Sequence, residues 1–216
     1  MGFQLTAADY AEYIKRAYAL IHANGDYVTE LDLATGDGDH WSNINMGFES
    51  LVKDIERLSA MSISDELKEI GKIMMSVIGG SSGVLYGSAY LAAAKAVKTK
   101  ETLGREELYD VLEAMLGAIV SRGKAEEGFK TMIDSLAPAV KAYKACLDEQ
   151  ADDKTLCQQV KKAAEDGAEN TKSMEAVRGR ATYQANKGIG HLDPGAVTMS
   201  YQISILMDYV MEKCEL

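Results

Sequence analysis

The sequence predicts an all-α protein in which about eight helices form an antiparallel bundle or barrel. Three observations carry this prediction. Apolar residues recur at three- and four-residue spacing along nearly the whole chain, which is the period of an amphipathic helix. Only two prolines occur among 216 residues. No stretch shows the two-residue alternation that is typical of a half-buried strand.

The first half of the chain carries three apolar stripes and one helix of a different kind. Thr6 and Asp9 have the spacing of a capping box, and Ser62 or Ser64 is suited to begin the third stripe. The segment 85–97 is rich in glycine, serine and alanine, which predicts an interior helix that its neighbours approach closely. The stripes are Tyr10, Ile14, Ala17 and Ile21, then Phe48, Leu51, Ile55 and Leu58, then Leu67, Ile70, Met74 and Val77.

The second half predicts four more helices. Thr131 with Asp134 begins one of them, and Pro138 falls either in its early turns or at a kink. Asp193 followed by Pro194 is a good N-cap and first-turn pair for the last helix. The apolar positions are Leu108, Val111, Leu112, Met115 and Ile119, then Leu136, Val140, Tyr143 and Leu147, then Leu156, Val160, Ala164 and Met174, and finally Met199, Ile203, Leu206 and Val210.

Composition predicts a soluble protein, and we expect residues 1–216 to form a single domain around one core. The formal net charge of −10 disfavours nucleic acid and anionic membrane as partners, because the protein surface would repel both. The three cysteines show no C-x-x-C spacing, which indicates reduced thiols. No apolar run has the character of a signal peptide or a membrane span, so we expect a cytoplasmic location.

An acidic loop follows the first helical region. Asp32, Asp37 and Asp39 lie within eight residues, and Gly36 and Gly38 allow the backbone to fold the three carboxylates toward one point. A hard cation such as Mg²⁺ takes oxygen ligands and keeps places for water or phosphate. From the spacing alone, a turn that only caps the next helix is the alternative interpretation.

A second loop, Gly79-Gly80-Ser81-Ser82-Gly83, lies between two predicted helices. Glycines and serines that lead into a helix expose several N–H groups, and the helix dipole favours an anion there. The alternative is a tight turn with Ser82 as a plain N-cap. The chain has neither a G-x-x-x-x-G-K-[ST] motif nor a G-x-G-x-x-G motif after a strand, so the sequence indicates neither a P-loop nor a Rossmann site.

The third glycine-rich connection, 188–195, contains the turn Asp193-Pro194-Gly195. Arg180 lies upstream, and its planar guanidinium is suited to bind phosphate, although an exposed arginine at a helix end is the more common case. Met132 either flanks a bound ring or fills the core. Each of these signals is moderate when it is taken alone.

Taken together, the motifs resemble one family, the L subunit or nucleotide-binding domain of dihydroxyacetone kinases. The motifs occur in the family's order and span most of the chain. They are Leu31-Asp32 with Gly36-Asp37-Gly38-Asp39-His40, Asn43 and Gly47-Phe48; Gly79-Gly80-Ser81-Ser82-Gly83 with Leu85-Tyr86-Gly87; Ser121-Arg122-Gly123-Lys124-Ala125-Glu126 with Lys130-Thr131-Met132; and Gly179-Arg180-Ala181-Thr182-Tyr183 with Ile189-Gly190-His191-Leu192-Asp193-Pro194-Gly195-Ala196.

The resemblance implies an eight-helix antiparallel barrel that binds ADP or ATP across the loops at one end. It implies that Asp32, Asp37 and Asp39 are the ligands of two Mg²⁺ ions. It also implies that the nucleotide is held by His40, Trp41, Ser42, Asn43, Ser81, Ser82, Gly123, Met132, Arg180, Asp193, Pro194 and Gly195.

The resemblance further implies that activity requires partner subunits. In the family, a separate K subunit holds dihydroxyacetone covalently on a histidine, and the L subunit delivers the γ-phosphoryl group. In versions that depend on the bacterial phosphotransferase system, an M subunit rephosphorylates the bound ADP. We therefore name no general base in this chain. A non-catalytic regulator with the same nucleotide site, and a plain helical interaction domain, are the alternative functions.

The sequence departs from the family's pattern at four places. Trp41 stands where a glycine usually follows the histidine, which would let the indole crowd the nucleotide or stack on it. Val84 replaces a proline, and Phe129 replaces an acidic residue. The segment 185–188 reads Ala-Asn-Lys-Gly where the family has Gly-Glu-Arg-Ser. The last change concerns the surface that faces the partner, so the acceptor is dihydroxyacetone or a related small keto-sugar.

Overall fold

A computed structural model describes residues 2–216 and contains ten α-helices but no strand within that range. Two short 3-10 segments, Thr171–Ser173 and Arg180–Tyr183, precede the last helix. The helices are α1 (Ala7–Ala23), α2 (Gly25–Thr35), α3 (His40–Lys53), α4 (Ile55–Ser59), α5 (Ile63–Val77), α6 (Gly80–Ala96), α7 (Arg105–Gly123), α8 (Ile133–Asp148), α9 (Asp153–Asn170) and α10 (Pro194–Lys213).

Eight of these helices close into a ring. Contacts run from α1 to α3, then to α5, and from there through each consecutive helix to α10, which packs back against α1. Short connections make sequential neighbours antiparallel, so the predicted all-α barrel is confirmed. Two further segments, α2 and α4, raise the count to ten because Asn24 and Asp54 each interrupt a helical run for one residue.

The predicted helix starts are confirmed where a side chain caps the backbone. Thr6 and Asp9 form the full capping box of α1. Ser62, and not Ser64, caps α5 by accepting a hydrogen bond from the Asp65 amide. Asp193 caps α10, and Pro194 occupies its first turn. These interactions span no more than three residues, which is why the sequence reveals them.

Other boundaries differ from the prediction. Met174 lies outside α9, because that helix ends at Asn170 and a 3-10 turn follows. The residues 80–83, which we predicted as part of the second glycine-rich loop, belong to α6, so that connection is shorter than expected. The α6 N-cap is Gly79 and not Ser82. Gly83 is accepted in the first turn because its missing side chain lets the Ile78 carbonyl approach.

Close backbone approaches explain the small residues of α6, as the sequence predicted. A Cβ at Gly87 would lie 2.9 Å from the carbonyl oxygen of Gly71 on α5, and a Cβ at Gly71 would lie 3.0 Å from the Gly87 carbonyl oxygen. A Cβ at Gly83 would clash with the carbonyl oxygen of Ile78. The backbones of α5 and α6 are therefore in close contact, both along the two helices and at the turn that joins them.

The barrel interior is filled by aliphatic side chains and by six buried tyrosines. At one end of the barrel, α3, α6, α8 and α10 begin, while the helices antiparallel to them, such as α5, α7 and α9, end. Each helix N-terminus there carries positive dipole charge and free N–H groups, which makes it suitable for an anion. No helix in residues 2–216 is long and apolar enough to cross a membrane.

Candidate functional site

A cavity of about 520 Å³ opens at this end of the barrel. Its walls come from residues that are far apart in the sequence but lie next to helix ends. Most of the predicted site residues are among them. The wall includes Asp32, Asp37, Asp39, His40, Ser81, Ser82, Arg122, Gly123, Lys130, Met132, Arg178, Arg180, Asp193, Pro194 and Gly195.

The three aspartates of the acidic loop converge at the cavity. One carboxylate oxygen from each of Asp32, Asp37 and Asp39 lies within 4.8 Å of the others. Asp32 is buried at the end of α2, whereas Asp37 and Asp39 are exposed. Gly36 is required between them, because a Cβ there would clash with the Asp32 carboxylate, and Gly38 has a φ of +79°. Local chain geometry therefore produces the cluster.

This cluster fits a hard divalent cation. Three carboxylates supply oxygen ligands and several negative charges in a small volume, and the two exposed aspartates leave space for water or phosphate oxygens. The Oδ2 atom of Asp32 accepts a hydrogen bond of 2.9 Å from the His40 amide, which fixes that carboxylate at the start of α3. Such support of a ligand is typical of metal sites.

The α6 N-terminus opens into the same cavity as the aspartates. Its N-cap, Gly79, has no side chain that could satisfy the first N–H groups, and Ser81 and Ser82 face the cavity. Free N–H groups at a helix start attract phosphate oxygens. Asn43 reaches this turn from α3, since a Cβ at Gly79 would lie 3.1 Å from the Asn43 Oδ1 atom.

The structure brings His40 into the cavity wall but not the three residues that follow it. The indole Nε1 of Trp41 donates a 3.0 Å hydrogen bond to the Ile21 carbonyl, and the ring fills the space that Gly25 leaves open. Ser42 Oγ donates to the Asp39 carbonyl at 2.8 Å. The tryptophan therefore packs against the α1–α2 junction, where it neither crowds the cavity nor offers it a stacking surface.

His40 itself is held from two sides. Its backbone amide donates a hydrogen bond to Asp32, and its ring Nε2 lies 2.8 Å from Thr198 Oγ1 on α10. Burial lowers the pKa of the His40 imidazole, and the carboxylates of Asp32 and Asp39 oppose that effect. The ring orientation is thus set by α10, although the residue belongs to α3.

The opposite wall joins Met132 to the turn that starts α10. A Cβ on Gly195 would lie 3.6 Å from the Met132 amide nitrogen, so the two segments are in contact. Met132 is buried at the start of α8 and, like Gly123, lines the cavity. Burial raises the pKa of the Asp193 carboxyl to about 7, against the lowering effect of its hydrogen bond from the Ala196 amide. This wall is more apolar than the aspartate side.

Arginines surround the cavity of an otherwise acidic protein. Arg180 Nη2 lies 2.7 Å from Asp37 Oδ2, and Arg178 Nε donates a 2.9 Å hydrogen bond to the Lys124 carbonyl. Arg122 also lines the wall. We did not predict two of these, Arg122 and Arg178, as ligand contacts. Three guanidinium groups around one cavity favour an anionic ligand.

Lys130 is a wall residue whose importance the sequence did not show. Its side chain is buried, and its Nζ donates hydrogen bonds to the carbonyls of Thr171 at 2.6 Å and His191 at 2.5 Å. Burial lowers the pKa of this ammonium group. One cation therefore ties together the start of α8, the end of α9 and the loop before α10. Its partners are 41 and 61 positions away, so no local pattern could have identified them.

Comparison with known proteins agrees with this arrangement. A family model described as the DAK2 domain matches residues 34–208. The chain is 32% identical over 202 residues to the "PEP-dependent dihydroxyacetone kinase, ADP-binding subunit DhaL" of Escherichia coli K12, covering 94% of this chain and 96% of that protein. It is 39% identical over 176 residues to the corresponding subunit of kinase 1 of Listeria innocua, with coverages of 82% and 83%.

A solved structure also has this fold. The dihydroxyacetone kinase of C. freundii in complex with AMP-PNP and Mg²⁺ superimposes with a TM-score of 0.73 at 25% sequence identity. The match covers 96% of this chain but only 35% of that longer chain.

Proposed function

This chain belongs to the DAK2 domain family, and we propose that it is the nucleotide-binding, phosphoryl-donating subunit of a dihydroxyacetone kinase. The proposal assigns a Mg-nucleotide, ADP or ATP, to the cavity. The acceptor is dihydroxyacetone or a related small keto-sugar on a separate K subunit. Relatives that are named ADP-binding subunits of such kinases support this proposal, since the chain aligns with them over most of their length.

The observation that carries the proposal is the position of the three aspartates beside the α6 N-terminus. Asp32, Asp37 and Asp39 would hold two Mg²⁺ ions, and the N–H groups near Ser81 and Ser82 would bind phosphate oxygens. Bound magnesium would neutralise the charge on the phosphate oxygens. Phosphoryl transfer depends mainly on such positioning and charge stabilisation.

The remaining wall residues would hold the rest of the nucleotide. Met132, Gly123 and the 193–195 turn form the more apolar wall, which suits a base. Arg180 lies near the aspartates and would bind a phosphate group through its fork of donors. His40 lies between the metal cluster and α10, where it would contact the nucleotide directly.

We assign no general base to this chain, because the proposed acceptor and the group that activates it belong to the K subunit. The words "PEP-dependent" in the names of several relatives favour a phosphoprotein, the M subunit, as the ultimate phosphoryl donor. In that scheme the nucleotide stays bound and is rephosphorylated in place. All of these proteins would act in the cytoplasm.

Calorimetry with an Asp37→Asn variant tests the site. We expect the wild-type protein to bind ADP only with Mg²⁺ present and the variant to lose this binding, because one metal ligand loses its charge. Asp26→Asn is the matched control, since Asp26 is an exposed carboxylate in the first turn of α2, the helix that precedes the acidic loop. Equal Mg-ADP affinity in wild type and Asp37→Asn would refute the metal assignment.

A second measurement separates the kinase subunit from a regulator. The protein is mixed with a K subunit, dihydroxyacetone and Mg-ATP, and phosphorylated product is measured. Product that depends on both proteins supports the kinase role. Tight Mg-ADP binding without product would instead identify a non-catalytic, nucleotide-dependent regulator.

A further inference from the structure

A chain of buried hydrogen bonds leads from the cavity into the barrel interior. It starts at His40, whose Nε2 lies 2.8 Å from Thr198 Oγ1. Gln202 Nε2 then donates to the Thr198 carbonyl and to the Tyr86 hydroxyl, both at 2.9 Å. Thr198, Gln202 and Tyr86 are all buried. The chain links α3, α10 and α6, whose N-termini meet at the cavity.

The surroundings of the Thr198 hydroxyl determine which way its hydrogen bonds run. Its Oγ1 lies 3.1 Å from the Pro194 carbonyl oxygen and 3.3 Å from the Gly195 carbonyl oxygen, and both of these atoms can only accept. The single hydroxyl hydrogen must lie on that side, because otherwise three oxygen atoms would face one another without a hydrogen between them. Thr198 therefore accepts from His40, so the proton of the neutral ring is on Nε2.

Two hydrogen-bond acceptors consequently fix His40: a carboxylate at its backbone amide and a hydroxyl at its ring. Its amide donates to the Asp32 carboxylate at 2.9 Å, and its ring donates to Thr198. Thr198 is completely buried and does not line the cavity, so it acts on a ligand only through the histidine. A buried ring donor that lost its acceptor would turn toward another partner.

We propose that Thr198 is a positioning residue that holds His40 in its Nε2–H form and in the orientation that the nucleotide requires. Gln202 and Tyr86 support this role by fixing the Thr198 backbone against α6. The inference rests on the proposed function for the identity of the ligand, but the protonated nitrogen of His40 is a property of the protein alone.

The first test is nitrogen-15 NMR of the histidine rings at about pH 8, where an unperturbed imidazole is neutral. The chain has three histidines, which His22→Gln and His191→Gln variants assign. We expect His40 to carry its proton on Nε2. His22 is an internal contrast, because its Nδ1 lies 3.1 Å from the Asn45 amide oxygen and should carry the proton. An Nδ1–H form of His40 in the wild-type protein would overturn the proposal, whatever the variants do.

The second test compares Mg-ADP binding in three variants. Thr198→Val keeps the shape and removes the hydroxyl, and we expect about a tenfold loss of affinity. Thr198→Ser retains the acceptor and should restore affinity to within about twofold of the wild type. Ser200→Ala is the matched control, since Ser200 is a buried hydroxyl on α10 that donates only to the Val197 carbonyl.

The outcomes distinguish this inference from the proposed function. Wild-type affinity in Thr198→Val, or the same loss in Ser200→Ala, would overturn the positioning role. Failure of the wild-type protein to bind Mg-ADP would overturn the proposed function, whereas the NMR result would still decide the state of His40.

Discussion

The guanidinium of Arg180 lies 2.7 Å from the carboxylate of Asp37. This ion pair joins the segment before α10 to the acidic loop, and it places a positive charge at one of the three clustered aspartates. Arg180 and a cation bound at the aspartates would therefore compete for the same carboxylate. Removing Arg180 should therefore change the affinity for the metal ion alone and the affinity for the metal–nucleotide complex in opposite directions.

We expect Arg180→Gln to raise the affinity for Mn²⁺ alone by about two- to fivefold, because an exposed ion pair contributes little and its loss frees Asp37. The same variant should bind Mg-ADP more weakly, since a cationic donor to the phosphates is lost. Electron paramagnetic resonance of free Mn²⁺ and calorimetry with Mg-ADP measure the two effects. Arg178→Gln is the control, because Arg178 donates to a carbonyl and not to an aspartate. Lower Mn²⁺ affinity in Arg180→Gln would contradict the prediction.

Glu66 predicts an unusual dependence of stability on pH. It is buried in α5 without a hydrogen-bond partner for either oxygen among the described residues, and burial raises the pKa of its carboxyl to about 9. In the unfolded chain the Glu66 carboxyl has the ordinary pKa of 4.5. As pH rises, it therefore loses its proton at a lower pH in the unfolded state than in the folded state. The wild type should therefore lose stability as pH rises from about 4.5 to about 9.

Glu66→Gln removes this titration while it keeps the side chain's size. We expect the variant to be more stable than the wild type at pH 7, by about 3 kcal/mol, and the difference to vanish below about pH 4.5. Urea denaturation at several pH values measures it. Glu69→Gln on the same helix should not show this gain, because Glu69 is partly exposed and paired with Lys72. If the difference in unfolding free energy between the variant and the wild type did not change with pH, Glu66 would not be protonated in the folded protein.

Lys130→Met should lower the free energy of unfolding by about 2 kcal/mol, because the carbonyls of Thr171 and His191 lose their buried donor. Thermal and urea denaturation check this result. Lys172→Met provides the comparison, since Lys172 is an exposed lysine in the same region and should change stability little. Equal stability of both variants would show that the Lys130 ammonium group does not hold the loops.

Gly83→Ala should destabilise the protein by about 1–3 kcal/mol, because the added methyl group would clash with the Ile78 carbonyl at the α5–α6 turn. Mg-ADP affinity should fall as well, since the clash displaces the start of α6. Gly117→Ala in α7 meets nothing within 4 Å and should stabilise by up to about 1 kcal/mol. Melting temperatures of the two variants should thus move in opposite directions, and a shared direction would contradict the close approach.

The sequence by itself determined the features that depend on neighbours along the chain. Capping by Thr6, Ser62 and Asp193 needs only residues within one helical turn, and the all-α class follows from apolar spacing. The cluster of Asp32, Asp37 and Asp39 is readable for the same reason, because one short glycine-containing loop carries all three. The family resemblance added the order of the motifs, and the cavity unites most of the residues that it named.

Only the tertiary structure decided which distant groups meet. Trp41 looked like a ligand contact because it follows His40, but helix packing directs its indole to the Ile21 carbonyl. Lys130 gains its role from carbonyls that other helices deliver, and Thr198 reaches His40 across 158 positions of sequence. Hydrogen bonds within a turn are set by local backbone angles, whereas these contacts exist only after the ring of helices has closed.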